Sequence, residues 1–177
     1  GVQTCALPIS KQRMTGHFIR SFIREENKCE RRLEFRKRGG LTVEGEKLQI
    51  LKTYFGYDSF RPGQEEIIDQ ILAGRDALAI MPTGAGKSLC YQVPALMMRG
   101  ITIVISPLIS LMMDQVKALN EAGIHAAYIN SSLTENQVAK ALEFAKAGRY
   151  KIVYVAPERL ETPRFLDFAD RKSTRLN

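Results

Sequence analysis

The sequence predicts an α/β fold with a parallel sheet, and three observations lead to that prediction. Short apolar runs, typical of buried strands, alternate with stretches whose apolar residues recur at helical spacing. The connections between them are short, as in units that join parallel strands through a helix. A glycine-rich loop separates the first apolar run from the helix after it. Such an alternation is typical of a parallel sheet covered by helices.

Two helices are predicted before the first apolar run, over residues 44–55 and 64–72, the second ended by Gly74. Four strands and three helices then alternate. The strands are predicted at residues 77–81, 101–106, 124–129 and 151–155, and the helices at residues 87–99, 108–122 and 135–147. Thr134 and Gln137 have the spacing of a capping box, which places the start of the last of these helices.

The net charge of +7 is not spread over the predicted fold. Residues 10–40 hold ten Lys and Arg against four Asp and Glu, whereas residues 41–169 hold thirteen against fourteen. The basic composition is therefore no argument that the folded part binds nucleic acid. The 45% hydrophobic content suits one globular domain, and no apolar run is long enough to cross a bilayer.

Both ends of the chain carry an unusual relation to each other. Residues 2–9 (VQTCALPI) and 170–177 (DRKSTRLN) can be encoded by the two complementary strands of one DNA stretch, which resembles a common sequencing adapter. We therefore predict that residues 1–9 and 170–177 are adapter-like artefacts outside the fold. The partial domain is predicted over residues 41–169.

Residues 10–40 form a basic leader that allows three interpretations. It is a solvated segment with one apolar helical face, a basic arm on DNA, or an untranslated leader read in frame, and we favour the last. Outside residues 1–40 the only cysteine is Cys90, so neither a disulfide framework nor a zinc site is predicted. No signal peptide is visible, which makes a reducing cytoplasm the expected compartment.

The glycine-rich loop has the pattern of a phosphate-binding loop. Glycines allow backbone N–H groups to turn towards a polyphosphate, and the helix that follows presents its N-terminus to the same anion. Lys87 is predicted to contact the β- and γ-phosphates of ATP, and the Ser88 hydroxyl to hold Mg²⁺. The predicted ATP-binding residues of the loop are Met81, Pro82, Thr83, Gly84, Ala85, Gly86, Lys87 and Ser88, with Lys87 and Ser88 as the catalytic pair.

The turn before the second helix adds a candidate adenine site. Tyr57, Arg61 and Gln64 supply an aromatic face, a cation and an amide about twenty residues before the loop. A Gln side chain can pair with the N6 and N7 atoms of adenine, and an aromatic ring can stack on the base. Each residue alone has a structural explanation, but the combination favours nucleotide recognition.

Four segments together resemble RecQ-family DNA helicases: residues 55–64 (FGYDSFRPGQ), 81–92 (MPTGAGKSLCYQ), 106–115 (SPLISLMMDQ) and 154–160 (YVAPERL). The resemblance covers residues 48–169 and implies a three-layer, RecA-like P-loop motor domain, the first of two, present here in incomplete form. It implies an ATP-driven 3′-to-5′ DNA-unwinding enzyme of DNA repair and recombination. It also implies single-stranded and duplex DNA as partners, in a bacterial cytoplasm and on the nucleoid when bound to DNA.

The last two segments resemble the family's motifs that hold one DNA strand by its phosphates. Because the carboxyl ends of parallel strands share one edge, the loops after the strands are expected to form a common rim. Hydroxyls, amides and a guanidinium can bind phosphates there without reading bases. The candidate DNA-binding residues are Ser106, Pro107, Ser110, Gln115, Asn130, Ser131 and Arg159, although Ser106 is also a candidate helix cap and Arg159 a candidate ion-pair partner of Glu158 or Glu161.

ATP hydrolysis in this family also requires an Asp-Glu pair at the end of another strand. No apolar run of this chain ends in adjacent acids, and no second motor domain follows, so the chain is expected to hydrolyse no ATP. Alternatives to the DNA helicase are an RNA helicase of the same superfamily, and a P-loop kinase, transport ATPase or nucleotide-binding module unrelated to nucleic acid.

Overall fold

The structure, a computed structural model, describes residues 42–174 and the side chains of residues 42–169. The sequence predictions for residues 1–9, 10–40 and 175–177 lie outside the described residues. Within the described part, no helix is long and apolar enough to cross a membrane.

The described chain alternates helices and strands as predicted. The helices are α1 (Val43–Phe55), α2 (Gln64–Leu72), α3 (Leu89–Met97), α4 (Ile109–Glu121), α5 (Glu135–Lys146) and α6 (Pro163–Thr174). The strands are β1 (Thr102–Ile105), β2 (Ala126–Ile129) and β3 (Ile152–Val155), and a short 3₁₀ helix covers Pro157–Arg159. The predicted α1 to α5 and β1 to β3 are confirmed, with boundaries that differ by at most two residues.

The three strands form a parallel sheet in the order β1-β3-β2. All four residues of the central strand β3 are buried, and they alternate between two cores. Ile152 and Tyr154 pack with residues of α3 and α4, whereas Val153 and Val155 pack with residues of α5 and α6. The alternation of side chains along a strand thus produces three layers, with helices on both faces of the sheet.

Local capping fixes where two of the helices begin. The Thr42 hydroxyl accepts a hydrogen bond from the Gly45 amide (3.2 Å), and Gly56 ends the same helix in the left-handed conformation. The capping box predicted at Thr134 and Gln137 is present at the start of α5.

A buried lysine joins the first two helices. The Lys47 ammonium lies 2.7 Å from an Asp69 oxygen and 3.0 Å from a Glu65 oxygen. Burial alone lowers the pKa of Lys47, but the hydrogen bonds and charges of the two carboxylates outweigh it and leave the pKa raised. The pair of acids therefore keeps a lysine charged where its side chain is only 1% exposed.

The strand predicted at residues 77–81 is wrong. Within residues 42–174 only a single bridge residue, Ala77, occurs in this segment, and Leu78 and Ile80 are 62% and 91% exposed. An apolar sequence is not sufficient for a strand, because the backbone N–H and C=O groups also need a neighbouring strand to pair with. The described sheet consists of β1, β3 and β2, and this segment is not one of its strands.

One helix, α6, was not predicted. The sequence predicts no element at residues 157–169 and places residues 170–177 outside the fold, whereas the backbone from Pro163 to Thr174 is helical. Proline suits the first position of a helix, and Phe165 and Phe168 are buried in the core that contains α5. The two aromatic rings, three residues apart, anchor this helix on the outer layer.

Candidate functional site

The glycine-rich loop connects the extended segment before it to the N-terminus of α3. Gly84 and Gly86 have φ angles of 82° and 75°, in the left-handed region that side chains other than glycine rarely adopt. Ser88 already has helical φ and ψ angles as the N-cap residue, and α3 begins at the next residue. The loop therefore curls round the end of the helix, as the sequence predicts for a phosphate-binding loop.

The loop offers free backbone donors. Among the described residues, no hydrogen bond of the protein uses the amide N–H of Thr83, Gly84, Gly86, Lys87 or Ser88. Amides that are exposed at a helix N-terminus and free of internal partners form a cradle for an anion. The loop conformation thus fits a polyphosphate.

Lys87 closes the loop on itself. Its ammonium donates hydrogen bonds to the carbonyl oxygens of Met81 (3.0 Å) and Pro82 (3.1 Å). These two carbonyls hold the charge at the loop, and the side chain must leave them to contact a phosphate. Ser88 is half-buried, and the described residues contain no cluster of three or more His, Cys, Asp or Glu that could hold a metal ion. Any Mg²⁺ here would depend on the Ser88 hydroxyl together with the phosphates.

Gln64 and Arg61 hold the phosphate loop by hydrogen bonds to its backbone carbonyls. Gln64 is 1% exposed, and its Nε2 atom donates to the carbonyl oxygens of Ala85 and Gly86, at 3.0 Å each. Its Oε1 atom accepts from the Arg61 amide (2.9 Å), and the Arg61 guanidinium donates to the Gly84 carbonyl. Both N–H groups of the Gln64 amide are therefore committed to the loop, so in this conformation the side chain cannot also donate to adenine.

Beside this contact lies an open cavity of about 500 Å³. Arg61, Pro82 and Ala85 line it on one side, and the exposed apolar residues Leu78 and Ile80 on the other. Tyr57, the predicted stacking residue, is 51% exposed and does not line the cavity. Arg61 and Gln64 are thus brought to the loop, while Tyr57 is left at the surface.

The loops after the three strands open at one edge of the sheet, as predicted from its parallel order. The candidate DNA-binding residues divide into two groups there. Pro107, Ser110 and Ser131 are exposed, whereas Ser106 and Asn130 are 1% and 0% exposed. The Ser106 hydroxyl accepts a local hydrogen bond from the Leu108 amide at 3.4 Å. The candidate helix cap at Ser106 is nevertheless wrong, because the N-cap residue of α4 is Leu108 and no side chain caps this helix.

Arg159 organises this edge. Its guanidinium donates to the carbonyl oxygens of Asn130 (3.1 Å) and Leu133 (3.3 Å), and it pairs with Glu135 at 3.1 Å. The expected ion pair with Glu158 or Glu161 is therefore replaced by one with a residue at the start of α5. Since the side chain is 16% exposed, Arg159 ties the loop after β2 to the loop after β3.

Asn130 carries the one buried side-chain atom without a hydrogen-bond partner among the described residues. Its Oδ1 accepts from the Ser132 amide (3.1 Å) and hydroxyl (2.7 Å), but its Nδ2 donates to nothing. A buried unsatisfied donor is costly, and each one in a native structure calls for an explanation, such as a bound water, ion or ligand. The edge of the sheet therefore has an unused donor, Asn130 Nδ2, beside the loops that carry the candidate DNA-binding residues.

A buried polar network that was not predicted from the sequence lies behind the phosphate loop. On α3, Tyr91 and Gln92 point into the core at 6% and 4% exposure. The Tyr91 hydroxyl lies 3.1 Å from the Tyr154 hydroxyl, and Gln92 Nε2 donates to Tyr154 (3.2 Å) and to Gln115 Oε1 (3.0 Å). The available signal was a Tyr-Gln pair within an apolar helical run.

Burial dominates the acid–base properties of this region. It raises the pKa of Tyr91 and of Tyr154, and hydrogen bonds to neighbouring side chains only partly oppose the shift of Tyr91. Burial also raises the pKa of the Cys90 thiol to about 11, with the Met81 sulfur 3.8 Å away. Cys90, which is 1% exposed, is therefore a core residue whose thiol stays protonated, and not a nucleophile.

Comparisons with known proteins agree with this geometry. The family model of DEAD/DEAH box helicases matches residues 61–176, which include the loop, the network and all three strands. The match covers well over half of the chain.

Curated relatives place the chain more narrowly. The chain is 56% identical to the ATP-dependent DNA helicase RecQ of Bacillus subtilis (strain 168) over 118 residues, 66% of this chain and 20% of the relative. It is 53% identical to the protein of the same name from Haemophilus influenzae, over 67% of this chain and 19% of the relative. The ATP-dependent DNA helicase Q-like 5 of Arabidopsis thaliana is 46% identical over 67% of this chain and 13% of its own length. The chain thus spans about a fifth of the bacterial relatives. The chain belongs to the DEAD/DEAH box helicase family, within its RecQ group.

Proposed function

We propose that this chain carries the nucleotide-binding half-site of an ATP-dependent DNA helicase that moves 3′-to-5′ and acts in DNA repair and recombination. The observation that carries the proposal is the cradle of five unpaired amides round Lys87, at the N-terminus of α3. The names of the RecQ relatives support ATP as the nucleotide and DNA as the substrate.

ATP binding requires a rearrangement of contacts that the loop already has. Lys87 leaves the Met81 and Pro82 carbonyls for the β- and γ-phosphates, while the loop amides surround the phosphate oxygens. The Ser88 hydroxyl would hold Mg²⁺ together with the phosphates, and the ion would supply positive charge beside them. Tyr57, Arg61 and Gln64 take the adenine end, with Gln64 exchanging a bond to the loop for one to the base.

The edge of the sheet serves the nucleic acid. The exposed hydroxyls of Ser110 and Ser131, together with amides at the start of α4, reach the phosphates of one strand. Arg159 contributes by fixing the loop that carries Asn130 and Ser131. Gln115 is half-buried on α4, the helix that begins at this edge of the sheet. These contacts are independent of base sequence, as a translocating motor needs.

Hydrolysis is not expected from the chain as it stands. Phosphoryl transfer to water needs an acidic pair to place Mg²⁺ and the attacking water, and no apolar run of the sequence ends in adjacent acids. The protein works in the bacterial cytoplasm, on the nucleoid when it is bound to DNA.

The first prediction concerns Lys87→Ala. We expect the 177-residue chain to bind Mg–ATP weakly, at millimolar concentration, and the Lys87→Ala variant to lose that binding by at least about tenfold because the phosphates lose their charged partner. Calorimetric or fluorescent-nucleotide titration measures it, with Lys140→Ala on α5 as the matched control. Equal binding by Lys87→Ala and the unchanged chain contradicts the site. Phosphate release clearly above the Lys87→Ala background contradicts the absence of hydrolysis.

The RNA-helicase alternative is tested by competition. A labelled single-stranded DNA is displaced by unlabelled DNA or by RNA of the same sequence, and the DNA helicase predicts that DNA competes at least as well. A clear preference for RNA replaces the proposal with the RNA helicase.

A further inference from the structure

Two helices and one strand, which lead to the phosphate loop or to the edge proposed to hold DNA, meet at one buried group of side chains. We define the core relay as Tyr91, Gln92, Gln115 and Tyr154, which are joined by hydrogen bonds of 3.0 to 3.2 Å. Two of the residues lie on the helix that follows the phosphate loop, one on α4 and one on β3. Each of these elements begins or ends at the nucleotide loop or at the edge proposed to hold DNA.

The polar chemistry of the core relay is not required for packing. Tyr91 and Tyr154 lie within the apolar core between the sheet and α3 and α4, where phenylalanine and leucine would remove the same area from water. Polar groups are stable there only because they satisfy one another. Gln92 gives both N–H groups of its amide to the other two elements, so it cannot move without leaving a buried donor or acceptor unpaired.

The core relay stands directly behind the part of the loop that must move. The carbonyl of Ser88 accepts the amide hydrogen bonds of Tyr91 (3.3 Å) and Gln92 (3.0 Å), so the first turn of α3 ties the backbone of both residues to the phosphate loop. Lys87, at the start of that turn, is bonded to Met81 and Pro82 and must be released when a phosphate arrives. The structure shows the loop closed on itself, and the proposed function requires a second arrangement in which it closes on the ligand.

At the far end, the core relay reaches both loops of the DNA edge. Tyr154 lies two residues before Ala156, where the chain leaves β3 for the 3₁₀ helix with Arg159. Gln115 lies on the helix that starts just after Ser106 and Pro107. A displacement of Gln92 therefore acts on both loops through single hydrogen bonds.

We propose that Gln92 and Tyr154 are positioning residues that couple the nucleotide state of the phosphate loop to the grip of the sheet edge on a DNA strand. The inference rests on the proposed function, in which the phosphate loop binds nucleotide and the edge of the sheet binds DNA. It identifies a specific physical link between them, in which α3 shifts with the loop and carries β3 and α4 with it. Neither residue touches nucleotide or DNA.

The test compares affinities for single-stranded DNA with and without nucleotide. The 177-residue chain is titrated into a labelled oligonucleotide, alone and with millimolar Mg²⁺ and a non-hydrolysable ATP analogue. We expect the analogue to change the affinity of the unchanged chain by at least about fivefold, and by less than about twofold in Gln92→Leu and Tyr154→Phe. The affinity of each variant for either ligand alone should stay within about threefold of that of the unchanged chain, because neither Gln92 nor Tyr154 contacts a ligand.

Tyr150→Phe is the matched control. It removes a hydroxyl from a tyrosine just before β3 that packs edge-on against Phe144 and makes no hydrogen bond to the core relay. This variant should keep the full nucleotide effect. If Gln92→Leu does not fold, as judged by circular dichroism, Tyr154→Phe carries the test, since it retains the ring and removes one oxygen.

The outcomes of these titrations distinguish a failure of the inference from a failure of the proposed function. A nucleotide effect that survives in Tyr154→Phe, or that Tyr150→Phe also loses, overturns the inference. So does a variant whose affinity for one ligand alone falls, because the residue is then structural. If the unchanged chain binds both ligands independently of each other, the inference fails and the proposed function stands. If it binds neither ligand, the proposed function fails and the inference with it.

Discussion

Gly86 and Gln64 are matched to each other at the centre of the site. A Cβ at Gly86 would lie 2.4 Å from Gln64 Nε2, the atom that donates to the carbonyls of Ala85 and Gly86. Gly84, with a similar backbone conformation, has nothing within 4 Å of such an atom. Only one of the two glycines is therefore required both for its φ angle and for its lack of a side chain.

This difference gives the second prediction. Ala at either position carries the left-handed strain of about 1–2 kcal/mol. Gly86→Ala also displaces Gln64 and leaves buried polar groups unpaired, at about 1–3 kcal/mol more. Urea unfolding should therefore show a larger loss of stability for Gly86→Ala than for Gly84→Ala. Equal losses would mean that Gln64 adapts without cost.

Arg159 provides the third prediction. It satisfies two loop carbonyls and a carboxylate, whereas the more exposed Arg164 pairs with the same Glu135 and donates to the Glu135 carbonyl. Because charged hydrogen bonds to part-buried carbonyls are worth more than contacts exposed to water, Arg159→Leu should cost about 2–3 kcal/mol and Arg164→Leu less than about 1 kcal/mol. Thermal melts of the two variants measure the difference. A larger effect at Arg164 would contradict the tie that Arg159 makes between the two loops.

At the scale of elements, α3 brings two titratable groups into the core, Cys90 and Tyr91, where Tyr91 meets Tyr154 of β3. Burial raises the pKa of Cys90 to about 11 from 9.0, and it raises the pKa values of Tyr91 and Tyr154 above their ordinary 10.0. In the unfolded chain these groups lose their protons at the ordinary values. The contribution of their burial in the neutral form to the stability of the fold is therefore fully present below pH 9.

The fourth prediction follows from that sign. Above pH 9 the unfolded chain releases protons that the folded chain retains, so the free energy of unfolding should fall as the pH rises from about 9 to 11. Chemical denaturation at several pH values measures the fall. Tyr154→Phe removes one of the groups and should flatten this fall in stability. A stability that is constant across this range contradicts the burial of all three protons.

The elements that the sequence predicted well are those fixed by short-range signals. The capping box at Thr134 and the left-handed Gly56 mark helix ends in any context, and β3 is an apolar run that needs both faces covered. The segment at residues 77–81 has equally apolar residues, but its structure depends on a partner strand, which no local pattern reveals. The helix α6 depended on two phenylalanines that pack against α5, a tertiary contact.

The candidate site follows the same division. The conformation of the phosphate loop was predictable because its glycines and the following helix are adjacent in sequence. The contacts of Gln64 with Ala85 and of Arg159 with Leu133 span more than twenty residues and arise only on folding. The sequence suggested ligands for both side chains, whereas the structure engages them in the protein itself. Tyr154 gave no signal, because a tyrosine in a strand is ordinary.

At the scale of the whole molecule, the described chain has an exposed apolar border. Leu78 and Ile80 lie beside the cavity next to the phosphate loop, at 62% and 91% exposure. Exposed apolar residues in an extended, strand-like segment favour association between copies of a chain. Residues 41–169 carry thirteen basic against fourteen acidic residues, so net charge opposes such association little. We therefore expect residues 41–169 to fold marginally and to self-associate.

The fifth prediction tests that border. Ile80→Lys places a charge on the extended segment and should raise the monomer fraction in sedimentation velocity while leaving the melting temperature within about 2 °C, because a side chain that is 91% exposed contributes little to the core. Leu48→Lys, at a residue of α1 that is 40% exposed, is the matched control and should leave the association unchanged. If both substitutions disperse the protein equally, general charge and not the border controls its solubility. A cooperative melt of residues 41–169 as a soluble monomer, with Ile80 in place, shows that the segment needs no further partner.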